Sequence, residues 1–427
     1  MKALVLGGGG AKGSYEVGVF KALRKLHMKF DIVTGVSIGS INGAFYVANE
    51  YKKCLKMWQK ITTSDLFDVA IGSKMSKEDI KLLVKQMSSG GISFSNAYNF
   101  LKKNINEEKV RKSKIDYGLV TVSLTNKKPR FLTKEQIPYG KLVDYICASS
   151  ICYPFVHAQD INDESFIDGG FYDGIPINLA IDMGATEILA VDLSVLAINK
   201  KPKDKNIKVD VIKMKDKTPL TLTFTKEYAN KNIKYGYNDT MKHFNKLDGN
   251  IYTFKKNDLD KSYNELNKYF IEILKSTILN EPKNKIVNEL FSIAKINKLF
   301  VKIKYDHDFK EEVEEALEHL GVLFDIPNEN IYSIKKYNKL LIRKVKELNY
   351  IKINKNLKDK FLIGYMYNKY MKSENKEEII KEMYNLSLIF PREYLCTVYL
   401  IAISKKHSLF LKADGIYDDI LKELNVK

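Results

Sequence analysis

The chain has 427 residues, more than one hydrophobic core usually serves, and its 45% apolar and 29% charged content excludes a disordered or low-complexity protein. No apolar run approaches the roughly 18 residues of a membrane-spanning helix; the nearest, Tyr394 to Ile403, reads as a buried helix. The formal net charge of +18 draws a protein toward anionic surfaces, but Lys, Asn, Ile and Tyr are abundant together, as a biased composition would make them.

Met1 to Leu6 runs straight into glycines, which reads as a core strand and not as a secretory signal. Cys54, Cys147, Cys152 and Cys396 lack metal spacing and sit among apolar neighbours, as buried thiols of a reducing compartment do. The expected location is therefore cytoplasmic, with peripheral membrane contact as the use of the basic charge.

In chain order, Lys2 to Leu6 is a strand, Gly7 to Gly13 a glycine loop, and Val17, Phe20, Leu23 and Leu26 mark a helix. Such a loop aims backbone N–H groups at one spot and suits an anion. Gly8, Gly10 and Gly13 match the dinucleotide fingerprint, which also wants an acidic residue closing the second strand. That strand ends in Thr34-Gly35-Val36-Ser37 instead. The other reading of the loop is an oxyanion hole facing the next strand.

Phe30 to Thr34 is the second strand, Gly35-Val36-Ser37-Ile38-Gly39 follows, and Ile41, Ala44, Phe45 and Ala48 define a helix. This is the Gly-x-Ser-x-Gly spacing of a nucleophile elbow. Gly35 and Gly39 are needed because side chains there would collide with the adjoining strand and helix. Tyr51 to Ile61 is an amphipathic helix with Trp58 in the core. Ser64 to Phe94, with Gly72, Gly90 and Gly91 around a helix marked by Ile80 and Met87, reads equally as a movable cover or a connecting excursion.

Asp116 to Thr125 is a long strand with Arg130 to Thr133 as its partner, and Leu142 to Ser150 is helical. Ser165 to Asp168 is a strand closed by an acid and followed by Gly169 and Gly170. Asp168 is favoured as the base over Asp173, which looks like a turn residue. A serine needs a base to become nucleophilic. Of the six histidines only His157 lies near a candidate active-site strand, and it lacks a carboxylate partner. A Ser37–Asp168 dyad fits better than a triad.

Glu187 to Leu193 is a core strand, Lys200 to Lys217 reads as an exposed lysine-rich loop, Tyr228 to Leu247 is a helix, and Ile251 to Phe254 a last strand. From Asn257 onward apolar residues recur at helical spacing in eight segments, Tyr263 to Ile278, Ile286 to Val301, Phe309 to Leu323, Ile334 to Leu348, Phe361 to Met371, Ile379 to Ile389, Tyr394 to Ile403 and Ile416 to Leu424. The expected division is an α/β domain at 1–255 and an all-α domain of unassigned role at 256–427.

Three blocks in order, Gly8-Gly9-Gly10-Ala11-Lys12-Gly13, Gly35-Val36-Ser37-Ile38-Gly39 and Asp168-Gly169-Gly170, closely resemble the patatin-like phospholipases. Two lesser blocks agree, Ala148-Ser149-Ser150 with Pro154, and Gly236-Tyr237-Asn238-Asp239. The resemblance covers Met1 to about Phe254. It implies a three-layer α/β/α fold and a lipid acyl hydrolase of phospholipase A type, with Ser37 as nucleophile, Asp168 as base and Gly8 to Gly10 as the oxyanion loop. Lys12 stands where the family carries Arg or Lys. One departure is Gly174, where many members have Asn. The expected substrate is a phospholipid or other acyl-ester lipid, with contact to an anionic membrane surface, no nucleic-acid partner, and neither metal nor cofactor called for. The alternatives are a neutral-lipid or lysolipid hydrolase, an acyltransferase, and a non-catalytic module binding acyl chains or nucleotides. Intact Ser37 and Asp168 argue against the last.

Overall fold

The computed structural model describes residues 1–66, 81, 85, 93–153, 156–215, 224–278, 308–348 and 359–414. The expected helix around Ile80 to Met87 with its glycines, Pro154, Lys217, and the helices expected at Ile286 to Val301 and Ile416 to Leu424 lie outside them. The chain divides into two compact units, Met1–Phe244 and Asn245–Lys427.

The first unit is built on β1 (Lys2–Leu6), β2 (Ile32–Val36), β3 (Asp116–Ser123), β4 (Lys128–Thr133), β5 (Gln159–Ile161), β6 (Glu164–Asp168), β7 (Glu187–Asp192) and β8 (Lys208–Lys213). The path across the sheet is β5-β6-β3-β2-β1-β7-β8, with β4 also on β3. β3, β2, β1, β7 and β8 run parallel, whereas β4 and β6 are antiparallel to β3. The parallel strands are apolar on both faces because both are covered. Leu4, Leu6 and Val33 pack on one side with helices α1 (Ser14–Lys25), α2 (Ile38–Val47) and α3 (Tyr51–Lys60). Ala3, Val5 and Ala190 pack on the other with the helix Ile177–Asp182. This is the three-layer α/β/α order.

Asp168 reaches Ser37 through β3. Val36, the last residue of β2, is opposite Val120, and Asp168, the last of β6, is opposite Thr121. The other edge of β3 is taken by β4 from Gly118 to Ser123. β2 and β6 therefore share one edge and meet end to end. Two residues far apart in sequence are juxtaposed by consecutive residues of one strand.

The lesser block at Gly236 has a packing cause. α1 and the helix Lys226–His243 touch backbone to backbone: a side chain at Gly18 would overlap the Ile233 carbonyl, and one at Gly236 the Tyr15 carbonyl. Two expectations change. The lysine-rich stretch is not all loop, because Lys208–Lys213 adds to β7 as strand β8. Its lysines are the exposed positions of an edge strand, where charge blocks further pairing. The last strand belongs to the second unit, where β10 (Thr253–Lys255) pairs with β9 (Leu247–Asp248) and β11 (Ile331–Tyr332).

Otherwise the second unit is helical: Asp258–Ile278, Lys310–Leu323, Ile334–Glu347, Asp359–Lys372, Lys376–Ile389 and Pro391–Asp414. Its core is rich in tyrosine. Tyr337 is fully buried and meets Tyr252, Phe254 and Tyr332 edge-on at centroid distances of 5.1–5.2 Å.

Candidate active site

Ser37 sits between β2 and α2 with φ 54° and ψ −129°. A non-glycine residue adopts that conformation at a cost, and the surroundings must enforce it. They do so through two glycines. A Cβ on Gly35 would overlap the Gly39 carbonyl, and one on Gly39 would overlap the carbonyl of Leu6. The elbow is held from outside as well. The Ser37 N–H donates to Ser149 Oγ (3.0 Å), whose hydroxyl donates to the Val120 carbonyl (2.7 Å). Ser149 is fully buried. Sequence reading noted its block without giving it a role, since only the fold brings it beneath the elbow.

The Asp168 carboxylate accepts a hydrogen bond from the Gly170 N–H (2.7 Å) and lies beside the Ser37 side chain. Burial raises its pKa from 3.8 to about 6, against the lowering effect of the Ser37 hydroxyl and the Gly170 N–H. Gly169 is required there because a Cβ would overlap the Val120 carbonyl. Asp173 is not a simple turn residue. It is buried, burial also raises it to about 6, and its Oδ1 accepts from the N–H groups of Lys200 (3.2 Å) and Ile175 (3.3 Å). That carboxylate holds two loops together. His157 is exposed and does not line the cavity that contains Ser37 and Asp168. Cys152 does line it, but burial first and the Asp168 charge second push its thiol up to about 11. It is protonated at neutral pH and no rival nucleophile.

The glycine loop follows β1 and opens into a 3₁₀ turn, Gly10–Gly13, that leads into α1. Gly8 does not offer its N–H to the cavity, because it donates to the Gly174 carbonyl (3.0 Å). Gly8 matters for its missing side chain: a Cβ would stand 3.3 Å from Ser37 Cβ. The N–H groups of Gly9 and Gly10 have no partner among the described residues, and both glycines line the cavity. Gly13 lets α1 start against α2, since a Cβ would overlap Ile38 and lie 3.0 Å from the Trp58 ring. The Lys12 side chain is buried, with its Nζ 3.5 Å from the Leu193 carbonyl and 3.4 Å from that of Ser194. Lys12 thus ties the glycine loop to the loop after β7.

The cavity measures about 600 Å³. Its wall is mainly apolar, with Ile38, Ile41, Trp58, Leu101, Val156 and Phe224 among the lining residues. Trp58 stacks on Phe224 at 5.9 Å, and its Nε1–H donates to Asn42 Oδ1 (2.9 Å). Asn42 also donates to the Gly13 carbonyl and to Glu16 Oε2. Glu16 is wholly buried, which raises it to about 8 and keeps it a neutral acid at pH 7. One wall of the cavity is therefore locked by a buried polar network.

At the mouth, Leu196 is fully exposed, Phe171 is 49% exposed and Ile198 56%. Leu196 and Phe171 also line the cavity. The loop that carries Leu196 is fixed at its base by Lys12, by the Gly174 N–H on the Ile198 carbonyl (2.7 Å) and by Asp173 on the Lys200 N–H. An apolar tip is thus presented on a rigid support. Among the described residues no helix is long and apolar enough to cross a membrane.

Residues 4–181 match the family described as Patatin-like phospholipase. Over 198 residues the chain is 30% identical to patatin-like phospholipase domain-containing protein 6 of Mus musculus, which covers 45% of this chain and 13% of that protein. It is 25% identical over 193 residues to the lysophospholipase nte1 of Aspergillus terreus, covering 44% of this chain and 12% of that protein. The chain thus spans about an eighth of these relatives. Among solved structures, VipD from Legionella pneumophila aligns over 94% of this chain and 90% of its own, with 14% identity and a TM-score of 0.37. The similarity to the patatin-like phospholipase family thus runs through residues 4–181.

Proposed function

We propose that the N-terminal domain is a lipid acyl hydrolase of phospholipase A type working through a Ser37–Asp168 dyad. The observation that carries this reading is the placement of Ser37 and Asp168 side by side on the wall of one apolar cavity. A carboxylate whose pKa lies near 6 is ionised at neutral pH, yet basic enough to take a serine proton. In this mechanism Asp168 accepts the Ser37 hydroxyl proton as Oγ attacks the ester carbonyl. The oxyanion is met by the Gly9 and Gly10 N–H groups at the start of α1. The C–O bond breaks, the departing alcohol takes the proton from Asp168, and the acyl group stays on Ser37. Water then gives a proton to Asp168 and attacks the acyl carbonyl, and the fatty acid leaves as Ser37 regains its proton.

The apolar wall favours an acyl chain as the buried part of the substrate. Its volume lies in the range of pockets that enclose a single ligand, which suits one chain, as in a lysolipid. A headgroup outside the cavity would lie beside Leu196 and Phe171, in keeping with action at an anionic lipid surface. The decisive experiment is labelling of the purified protein with a fluorophosphonate. Stoichiometric labelling, abolished in Ser37→Ala, supports the reading. A wild-type protein that stays unlabelled in the presence of lipid vesicles would overturn it and favour a module that only binds acyl chains.

A further inference from the structure

The second unit carries no sequence motif, yet three of its helices bring chemistry-bearing side chains to one place. His319 lies in the helix Lys310–Leu323, Asp359 opens the helix Asp359–Lys372, and Glu393 is in the first turn of the helix Pro391–Asp414. One ligand atom from each lies within 4.8 Å of the other two. Acids at helix starts are common, because they complement the helix dipole. The dipole does not explain why two of them converge on an imidazole. Among the described residues no hydrogen bond or ion pair joins or neutralises these three side chains. The neighbouring Arg392 is turned to Glu315, at 3.7 Å. The Nε2 atom of His319 is buried without a hydrogen-bond partner, a costly state for a polar nitrogen.

We propose that His319, Asp359 and Glu393 bind one divalent transition-metal ion, zinc by preference. Carboxylates alone would suit magnesium or calcium, whereas an imidazole nitrogen selects zinc and its neighbours in the first transition row. One nitrogen and two oxygens leave a fourth tetrahedral position for water. The ion takes the place of the missing hydrogen-bond partner. It also ties together three helices distant in sequence, so its first effect is on the stability of this unit. The inference does not depend on the acyl-hydrolase reading.

The test uses the full chain, reduced, stripped with EDTA and titrated with zinc sulfate. Melting is followed by fluorimetry, and retained metal is counted by mass spectrometry after desalting. One zinc per chain is expected, with a rise in melting temperature of about 5–10 °C at roughly a hundredfold excess over the dissociation constant. His319→Gln and Asp359→Asn should each weaken zinc binding at least tenfold. Asp359 is exposed, so its variant keeps the test valid if His319→Gln folds poorly. Zinc held equally by wild type and both variants would place it on cysteines or elsewhere and overturn the assignment. No zinc-dependent shift in the wild type, or an equal shift with calcium or magnesium, would overturn it as well.

Discussion

The two units build sites by different means. In the N-terminal unit the backbone makes the geometry. Gly35, Gly39 and Gly169 stand where a single added carbon would overlap a carbonyl of a neighbouring strand or turn. In the C-terminal unit side chains do the work: buried tyrosines pack the core, and His319, Asp359 and Glu393 converge from three helices. A site made of backbone leaves glycines at fixed spacing in the sequence. A site made by converging side chains leaves no local trace, because any helix surface can carry a His or a Glu.

The largest effects should fall on the chemistry of the first unit. Ser37→Ala and Asp168→Asn should each lower ester hydrolysis on the order of 10⁴-fold or more, with circular dichroism unchanged. His157→Ala should retain activity. A dead His157 variant beside an active Asp168→Asn would replace the dyad with a triad.

The glycines sharpen the comparison directly. Gly39→Ala drives a methyl group into the Leu6 carbonyl, and a backbone overlap of that kind should cost at least ~3 kcal/mol along with activity. Gly364→Ala in the second unit meets only the Leu348 side chain, at 3.2–3.3 Å. There the helix-propensity gain of about 1 kcal/mol offsets a small displacement, so its melting temperature should stay close to that of the wild type. Comparable losses in denaturant titrations of the two variants would remove the distinction.

A smaller effect concerns the mouth of the cavity. Burying one leucine in lipid is worth about 1.5–3 kcal/mol, so Leu196→Asp should lower the ratio of vesicle to soluble-ester hydrolysis about tenfold. Reversing Lys203, Lys205 and Lys208 together should not. Lys208 begins β8 opposite Glu187, and Lys203 pairs with Asp182, so two of the three belong to the end of the sheet away from Ser37. If the lysine triple variant loses vesicle activity while Leu196→Asp keeps it, the docking face lies elsewhere.

The last effect is on stability alone. The folded-state pKa of Asp168 is raised, so its charge opposes folding. That penalty is absent below the unfolded value near 3.8 and grows until pH passes about 6. Asp168→Asn should therefore be more stable than the wild type at pH 8, by on the order of 2–3 kcal/mol, and the gain should vanish below pH 4. Urea titrations at pH 8 and pH 4 that show the same difference would mean that the charge is not what destabilises.

Much of the first unit was legible because its features are local. Strand, glycine loop and helix follow one another at both Gly8 and Ser37, and period and punctuation suffice to read them. What escaped was long-range. Gly8 was read as part of the oxyanion loop, but its own N–H is taken by Gly174, a residue on another loop. Ser149 became a brace only when its helix came beneath the elbow. Strand β8 was hidden by lysines, because an edge strand can be charged and still pair on its inner side. Among the described residues of the second unit the helices were legible by periodicity, while the pairing of β10 with β11 was not.

The meeting of β2 and β6 on one edge of β3 also bears on timing. A chain emerging from the ribosome presents Ser37 early, flanked by the strands and helices that form its elbow. Its base arrives only when residue 168 has been made and β6 has added to β3 beside Val36. Such long-range pairing is the slow part of folding. On the dyad reading, the unfinished chain is therefore inert toward lipid, and reactivity itself reports that the sheet has closed.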